Sequence, residues 1–395
     1  MAWSWVALAL LAVPTALALV WLVEVIAGIL TLRRSVETTE QTTRDFSIVV
    51  LIPAHNESSN LLPTLQDAAA QLGPRDRILV VADNCSDDTA EVARKAGAEV
   101  VERTDATRRG KGYALEFGIQ RLRDNPPDIV VIMDADCRIG ASAINVLAQG
   151  ANRTGRAAQA LYFMEAPQCA PVSMRVAEFA YRIRNWLRPL GMRRLGLPCP
   201  LFGTGMAFPY ALLCGRDMGQ SRLAEDTALG LDLAKSRNAA IFYPHAQIVS
   251  YFPESADTAA AQRARWEKGS FMNALELMPK ALVRSLIDGN LQLAVLAVDL
   301  AIPPLAALVV FAGLANVIGA LVSLASGSQL FLLVPTIGSA LLLGGAMLAW
   351  SGVGRNLLSL REFPELLIYV LKKLDLYKAI ASGEAAGSWV KTKRS

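Results

Sequence analysis

Histidine is nearly missing from this chain. Its 395 residues include only His55 and His245, which argues against a histidine triad or a His-rich metal centre and leaves acid–base chemistry to carboxylates. Cysteine is scarce and unpatterned: Cys85, Cys137, Cys169, Cys199 and Cys214 are odd in number and show no C-x-x-C spacing. They read as reduced thiols of a cytosolic compartment, with neither a disulfide framework nor a zinc site. Internal repeats, low-complexity tracts and a Walker-type glycine loop are all lacking. Positive charge is also missing ahead of the first apolar run and follows it instead, at Arg33 and Arg34, the reverse of a cleaved signal peptide.

What is abundant is apolar surface. Hydrophobic residues make up 53% of the chain, yet charged residues still reach 19%, so the chain divides into membrane and soluble parts. The run Ala2–Leu32, interrupted by Pro14 and Glu24, is about 46 Å long as one helix, against a hydrocarbon core of ~30 Å. One tilted span over residues 1–32 is expected, with Glu24 at a headgroup layer. Residues 291–353 hold two further apolar blocks, Leu291–Ala325 and Leu330–Val353; the Pro303-Pro304 break assigns the early part of the first to the interface. The link Ser326–Gln329 carries no charge, whereas Arg355, Arg361, Lys372 and Lys373 follow the second block. By the positive-inside rule the N-terminus and that link face outward, and the middle and C-terminus face the cytoplasm. A multi-pass protein of the inner (plasma) membrane is expected.

Residues 45–250 have a different rhythm. Strands are predicted at Ser47–Ala54, Arg77–Ala82, Glu99–Glu102 and Ile129–Met133, alternating with helices at Asn60–Leu72, Asp87–Ala96 and Gly112–Arg123. Short apolar runs alternating with amphipathic stretches imply βαβ units and a mostly parallel sheet, an α/β Rossmann-like domain. Residues 251–290 follow as a helical segment at the interface, and residues 354–395 as an interfacial cytoplasmic tail. Two basic stretches with interleaved aromatics, Met174–Arg194 and Leu366–Ile380, are expected to lie in the headgroup plane. A solvated surface helix with snorkelling arginines is the competing reading.

Chemistry concentrates at strand ends. Pro53-Ala54-His55-Asn56-Glu57 closes the first strand, Asp83 the second, and Asp134-Ala135-Asp136 the fourth. Carboxylates at successive tips of a parallel sheet form a crevice for a nucleotide and a divalent cation. Singly, such residues often only cap helices, as Ser86 or Asp87 is expected to do. Arg108-Arg109-Gly110-Lys111-Gly112 is a basic, glycine-flanked turn before a helix, placing Lys111 on a pyrophosphate. Asp226, beside Glu225 at a helix start, suits a general base or an N-cap. Gln262, Arg265 and Trp266 fall at i, i+3 and i+4, on one helical face. There a cationic fork, an amide and an indole suit a diphosphate and a sugar.

Together these residues resemble the membrane-integrated family 2 glycosyltransferases, which include cellulose, hyaluronan and poly-N-acetylglucosamine synthases and ceramide glucosyltransferase. The matching motifs occur in the family's order over most of residues 47–270. The tail Trp389–Arg394 is similar to the ending of many bacterial exopolysaccharide members. The resemblance implies a GT-A fold and an inverting transfer from a nucleotide sugar, with a UDP-sugar the expected donor. Pro53, Glu57, Asp83, Lys111, Asp134, Gln262, Arg265 and Trp266 would bind that donor, Asp83 at the nucleobase. Asp136, with Asp134, would hold Mg²⁺ or Mn²⁺. Asp226 would be the catalytic base, and Gly203, Thr204, Gly205, Glu225 and Trp266 would meet the acceptor. Two departures matter: Ala82 replaces an aspartate common in the family, and three spans are few for a polymer channel. Single-sugar addition to a lipid-linked acceptor in exopolysaccharide repeat-unit assembly is therefore expected over processive synthesis. The bilayer is an expected partner; nucleic acid is not. A catalytically silent scaffold is the third reading, and the complete acidic set argues against it.

Overall fold

Strand β1 (Ile48–Ala54) is apolar along its length because it is covered on both faces. Ile48, Val50 and Ile52 pack with Leu61, Leu65, Ile144 and Leu147 on one side. Val49 and Leu51 pack with Leu115, Ile119, Leu229 and Leu233 on the other. Such unbroken apolar runs are the signature of parallel strands sandwiched between helices. The computed structural model describes residues 2–33, 44–218, 225–253 and 255–381. Arg34 and the Trp389–Arg394 tail lie outside them, as does the Lys372 side chain.

After helix α1 (Ala2–Leu32) and β1 come α2 (Ser58–Ala69), β2 (Arg77–Asp83), α3 (Thr89–Lys95), β3 (Glu99–Arg103), α4 (Lys111–Arg121) and β4 (Ile129–Ile132). Next are β5 (Arg138–Ile139), α5 (Ala143–Thr154), β6 (Ala158–Glu165), α6 (Val172–Arg182), α7 (Arg188–Arg194), β7 (Met206–Pro209), α8 (Tyr210–Leu213), α9 (Glu225–Lys235) and β8 (Ile241–Tyr251). A π-helical turn at Ile183–Leu187 joins α6 to α7. The helices α10 (Ala256–Ile287), α11 (Leu291–Ala301), α12 (Leu305–Ser326), α13 (Leu330–Ala349) and α14 (Phe363–Ala381) complete the described residues.

The described strands form one sheet in the order β3-β2-β1-β4-β7-β6-β8-β5. Its first four strands are parallel, as expected from the alternating pattern. The second half is mixed: β7 runs antiparallel to both β4 and β6, while β6 and β8 pair in parallel. The break falls between β4 and β7, where two acidic tips meet a returning turn. Ligands in open α/β sheets bind at such a switch point.

Three helices among the described residues are long and apolar enough to cross a membrane: Ser4–Leu32, Leu305–Ser326 and Leu330–Gly354. The Pro303-Pro304 break separates α11 from this group, and α11 packs on α9 and α10. The domain is fastened to α1 by reciprocal glycines. A Cβ on Gly28 would lie 2.2 Å from the Leu187 carbonyl oxygen, and one on Gly191 2.0 Å from that of Glu24, so only glycine permits this approach. The contact also turns Glu24, expected near a headgroup layer, onto protein partners. Glu24 is 4% exposed; its carboxylate accepts from Arg188 Nε at 2.6 Å, and Arg188 Nη2 reaches Asp299 at 2.5 Å. Breaking one member of such a buried ion group costs about 3–5 kcal/mol.

The arginine-rich stretch Met174–Arg194 likewise turns inward. Arg175 binds Glu362 and the Leu357 carbonyl, Arg182 binds Glu178, Arg188 joins the triad, and Arg193 donates to the Phe242 carbonyl. Fixed internal partners claim most of the charge expected at headgroups. In the Leu366–Ile380 stretch, Lys373 is turned onto Glu267 of α10 at 2.5 Å.

Candidate active site

The β1 and β2 tips are laced together. His55 Nδ1 lies 2.7 Å from the Asp83 carbonyl oxygen, and Asn56, in the left-handed region at φ +53, accepts the Ser86 N–H through its side chain. Glu57 sits at the foot of α2, its backbone N–H on Thr89 Oγ1 and its carboxylate on Asn60. Asp87 accepts both the Thr89 N–H and hydroxyl at the start of α3, whose N-cap position is Asp88 and not the Ser86 or Asp87 expected from sequence. Asp83 is 6% exposed, and its Oδ1 accepts from Arg103 Nη1 at 2.6 Å. Arg103 is the residue in register with Asp83 on β3. Sequence reading missed it, although a basic residue ending the neighbouring strand was the available signal.

At the β4 tip the pieces converge. The Asp134 carboxylate is paired with Lys111 Nζ, which also donates to the Gly203 carbonyl at 2.8 Å. Lys111 opens α4 just after Gly110, at φ +129. Burial works against its charge, but Asp134, Glu225 and Asp226 outweigh it and hold its pKa above the ordinary value. Gly203, at φ +86, is the seam: a Cβ there would lie 3.5 Å from Asp226 Oδ2 and 3.6 Å from Lys111 Nζ. The seam thus brings together Asp134, Lys111 and Asp226. Asp226 accepts the Thr227 N–H at 2.7 Å in the first turn of α9. Burial pushes the pKa of Asp226 above its ordinary value, while Arg184, the Thr227 N–H and Lys111 pull the other way.

The turn over residues 201–205 differs from expectation. Thr204 is fully buried, and its hydroxyl accepts the Asp134 N–H at 3.0 Å. A Cβ on Gly205 would meet Ala160 and Ile248. Both therefore stand behind the surface assigned to an acceptor, and Gly203 alone of the three borders the cavity. Buried Gln159 holds the turn, donating to the Thr204 carbonyl and accepting the Phe202 N–H. Thr204→Val should lower turnover on the order of tenfold, since an orphaned buried N–H costs about 1–3 kcal/mol, and Thr204→Ser should restore it. A change confined to acceptor KM would return Thr204 to acceptor contact.

Candidate metal-holding atoms are those of Asp134, Asp136 and Cys137, which lie within 4.8 Å of one another. Cys137 is buried between the Thr204 and Ser250 hydroxyls, and burial raises its pKa to about 11. That leaves the two carboxylates as the candidate donors, and their hard oxygens would suit Mg²⁺ or Mn²⁺.

Gln262, Arg265 and Trp266 line one cavity of ≈ 840 Å³ together with Lys111, Asp136 and Asp226. Trp266 stacks edge-on against Tyr181, centroids 5.8 Å apart. The same cavity reaches Trp21 of α1, Leu300 of α11 and Leu305 of α12.

The mixed sheet thus carries an acidic pair at its switch point, beside a cationic loop and a carboxylate on a facing helix. Residues 45–269 match the family described as "Glycosyltransferase like family 2", and the chain belongs to it. It is 26% identical over 235 residues to "Probable glycosyltransferase YdaM" of Bacillus subtilis (strain 168), covering 56% of this chain and 55% of that protein. It is 37% identical over 111 residues to "4,4'-diaponeurosporenoate glycosyltransferase" of Staphylococcus haemolyticus (strain JCSC1435), 27% of each. The match thus spans about half of the first relative and about a quarter of the second. Among solved structures, mannosyltransferase PcManGT from Pyrobaculum calidifontis, in complex with GDP-Man and Mn²⁺, is 20% identical with a TM-score of 0.48, covering 85% of this chain and 98% of that one.

Proposed function

We propose that this glycosyltransferase is an inverting, divalent-metal-dependent enzyme that moves one sugar from a nucleotide sugar, with a UDP-sugar the expected donor, to a lipid-linked acceptor at the cytoplasmic face of the inner membrane. Exopolysaccharide repeat-unit assembly is the setting such a product fits. The observation that carries this reading is the shared cavity. It is lined both by Asp134, Asp136, Lys111 and Asp226 and by Trp21, Leu300 and Leu305 from the apolar helices. A water-soluble donor and a lipid-borne acceptor can meet only in a space of that kind.

In this reading the donor's diphosphate faces Lys111 and Arg265, with the N-terminus of α4 adding partial positive charge. The Asp134 and Asp136 carboxylates would hold the cation, which when bound supplies positive charge to the departing diphosphate. Asp226, across the Gly203 seam, takes the proton from the acceptor hydroxyl, so one displacement inverts the anomeric centre. Gln262 and Trp266 bound the sugar-sized space between. Apolar residues on the outer face of α10, with Leu275 73% and Leu286 76% exposed, support this helix lying at the membrane surface.

Incubating the purified protein with a lipid-linked acceptor and a panel of nucleotide sugars should shift the acceptor's mass by one sugar. A ladder of additions, or polymer trapped in sealed vesicles, would replace this reading with processive synthesis.

A further inference from the structure

Two arginines in the cavity wall make no contact with donor or acceptor in the reaction described above, although one of them, Arg184, also bears on the charge of Asp226. Arg263 of α10 is only 6% exposed, yet its Nε and Nη1 have no hydrogen-bond partner. Its guanidinium rests 5.7 Å from the Phe252 ring centroid, with the Tyr369 phenol beside it. A buried cation with unmade hydrogen bonds costs several kcal/mol unless something satisfies it. The acid nearest along the helix, Glu267, is already neutralised by Lys373.

Arg184 is the second. It is the one member of the arginine-rich segment that the π-helical turn presents to this cavity without a hydrogen-bond or ion-pair partner among the described residues. Such turns insert one extra residue and redirect a side chain. Arg184 and Arg263 both lie close enough to bear electrostatically on the Tyr181 hydroxyl. Burial keeps that phenol protonated, hence a hydrogen-bond donor.

We infer that Arg184, Arg263 and Tyr181 form a subsite for the phosphate of the lipid acceptor, separate from the donor's diphosphate at Lys111 and Arg265. This rests on the lipid-acceptor reading above and gives that acceptor its charge. Two guanidiniums from separate helices plus a phenol match the multiple acceptor oxygens of a phosphate; a carboxylate is satisfied by a single fork. Lipid is the source, not a free phosphate ester, because the same cavity continues to Trp21 and Leu305 at the apolar helices.

The test uses the full-length protein in zwitterionic nanodiscs, with farnesyl phosphate, farnesol and glycerol 3-phosphate as probes. Wild type should bind farnesyl phosphate at least about tenfold more tightly than either of the others, a difference that two satisfied charge-assisted hydrogen bonds readily supply. Arg263→Met and Arg184→Gln should each remove on the order of tenfold of that preference. Affinity for farnesol should hold within about twofold, as should affinity for whichever of UDP-glucose or GDP-mannose stabilises the wild type. Arg263→Lys should recover part of the loss, and nucleotide-sugar stabilisation of each variant shows that it is folded. Equal binding of farnesol and farnesyl phosphate overturns the subsite. Equal binding of glycerol 3-phosphate overturns the lipid source, and lost nucleotide-sugar affinity in either variant moves the arginines to the donor. Failure of every nucleotide sugar to bind wild type would instead strike the transferase reading.

Discussion

Asp226→Asn is expected to abolish sugar transfer while leaving nucleotide-sugar affinity within about twofold, because a general base acts on the acceptor in the transition state and not on the bound donor. The amide keeps the oxygen that accepts the Thr227 N–H, so the first turn of α9 should survive. What disappears is the ability to take a proton, a contribution of about 10²–10⁴-fold. The wild-type pH profile should carry the same signature. Burial holds the pKa of Asp226 above its usual value, and a base must be ionised to work. Turnover should therefore fall as the pH drops through that raised pKa, higher than an exposed aspartate would titrate. The variant's residual activity should lose this acid limb. Preserved turnover with weakened donor binding would reduce Asp226 to a helix cap.

The parallel half of the sheet was legible because β1, β2 and β4 are covered on both faces, so β1 and β4 are apolar along their length and β2 is apolar from Ile78 to Ala82. The mixed half was not: β5, for one, is only two residues long, too short for any periodicity to show. The site divides in the same way. Lys111, Asp134, Asp136 and Asp226 stand at element ends, where charge interrupts an apolar pattern and is conspicuous. Thr204 and Gln159 act from fully buried positions, through partners about 45–70 residues away in sequence, and nothing local marks them. The arginines of Met174–Arg194 misled for a related reason. A period of 3.6 places charge on faces but is blind to the π-helical turn, which shifts every residue after it by one place. It is equally blind to Glu24 and Glu362 waiting on other elements.

Chelation of divalent metal should stop transfer, and Mg²⁺ or Mn²⁺ should restore it; Asp136→Ala should behave as permanent chelation that added metal does not relieve. The donor set dictates this. Of the three clustered groups, Cys137 is held as a thiol between two hydroxyls, with its pKa pushed up to about 11, and a neutral thiol is a poor ligand for a hard cation. Asp134 is already neutralised by Lys111. Removing Asp136 therefore leaves one carboxylate whose charge is spoken for, whereas Asp134→Asn leaves Asp136 in place and should weaken metal dependence less completely. Several kcal/mol of charge stabilisation on the leaving diphosphate corresponds to a loss of about 10³-fold in turnover. Mn²⁺ should also raise the melting midpoint of wild type and not of Asp136→Ala, a readout independent of catalysis. Undiminished turnover in excess chelator, with no metal-dependent change in midpoint, would remove the cation and leave Lys111 and Arg265 to carry the leaving group alone.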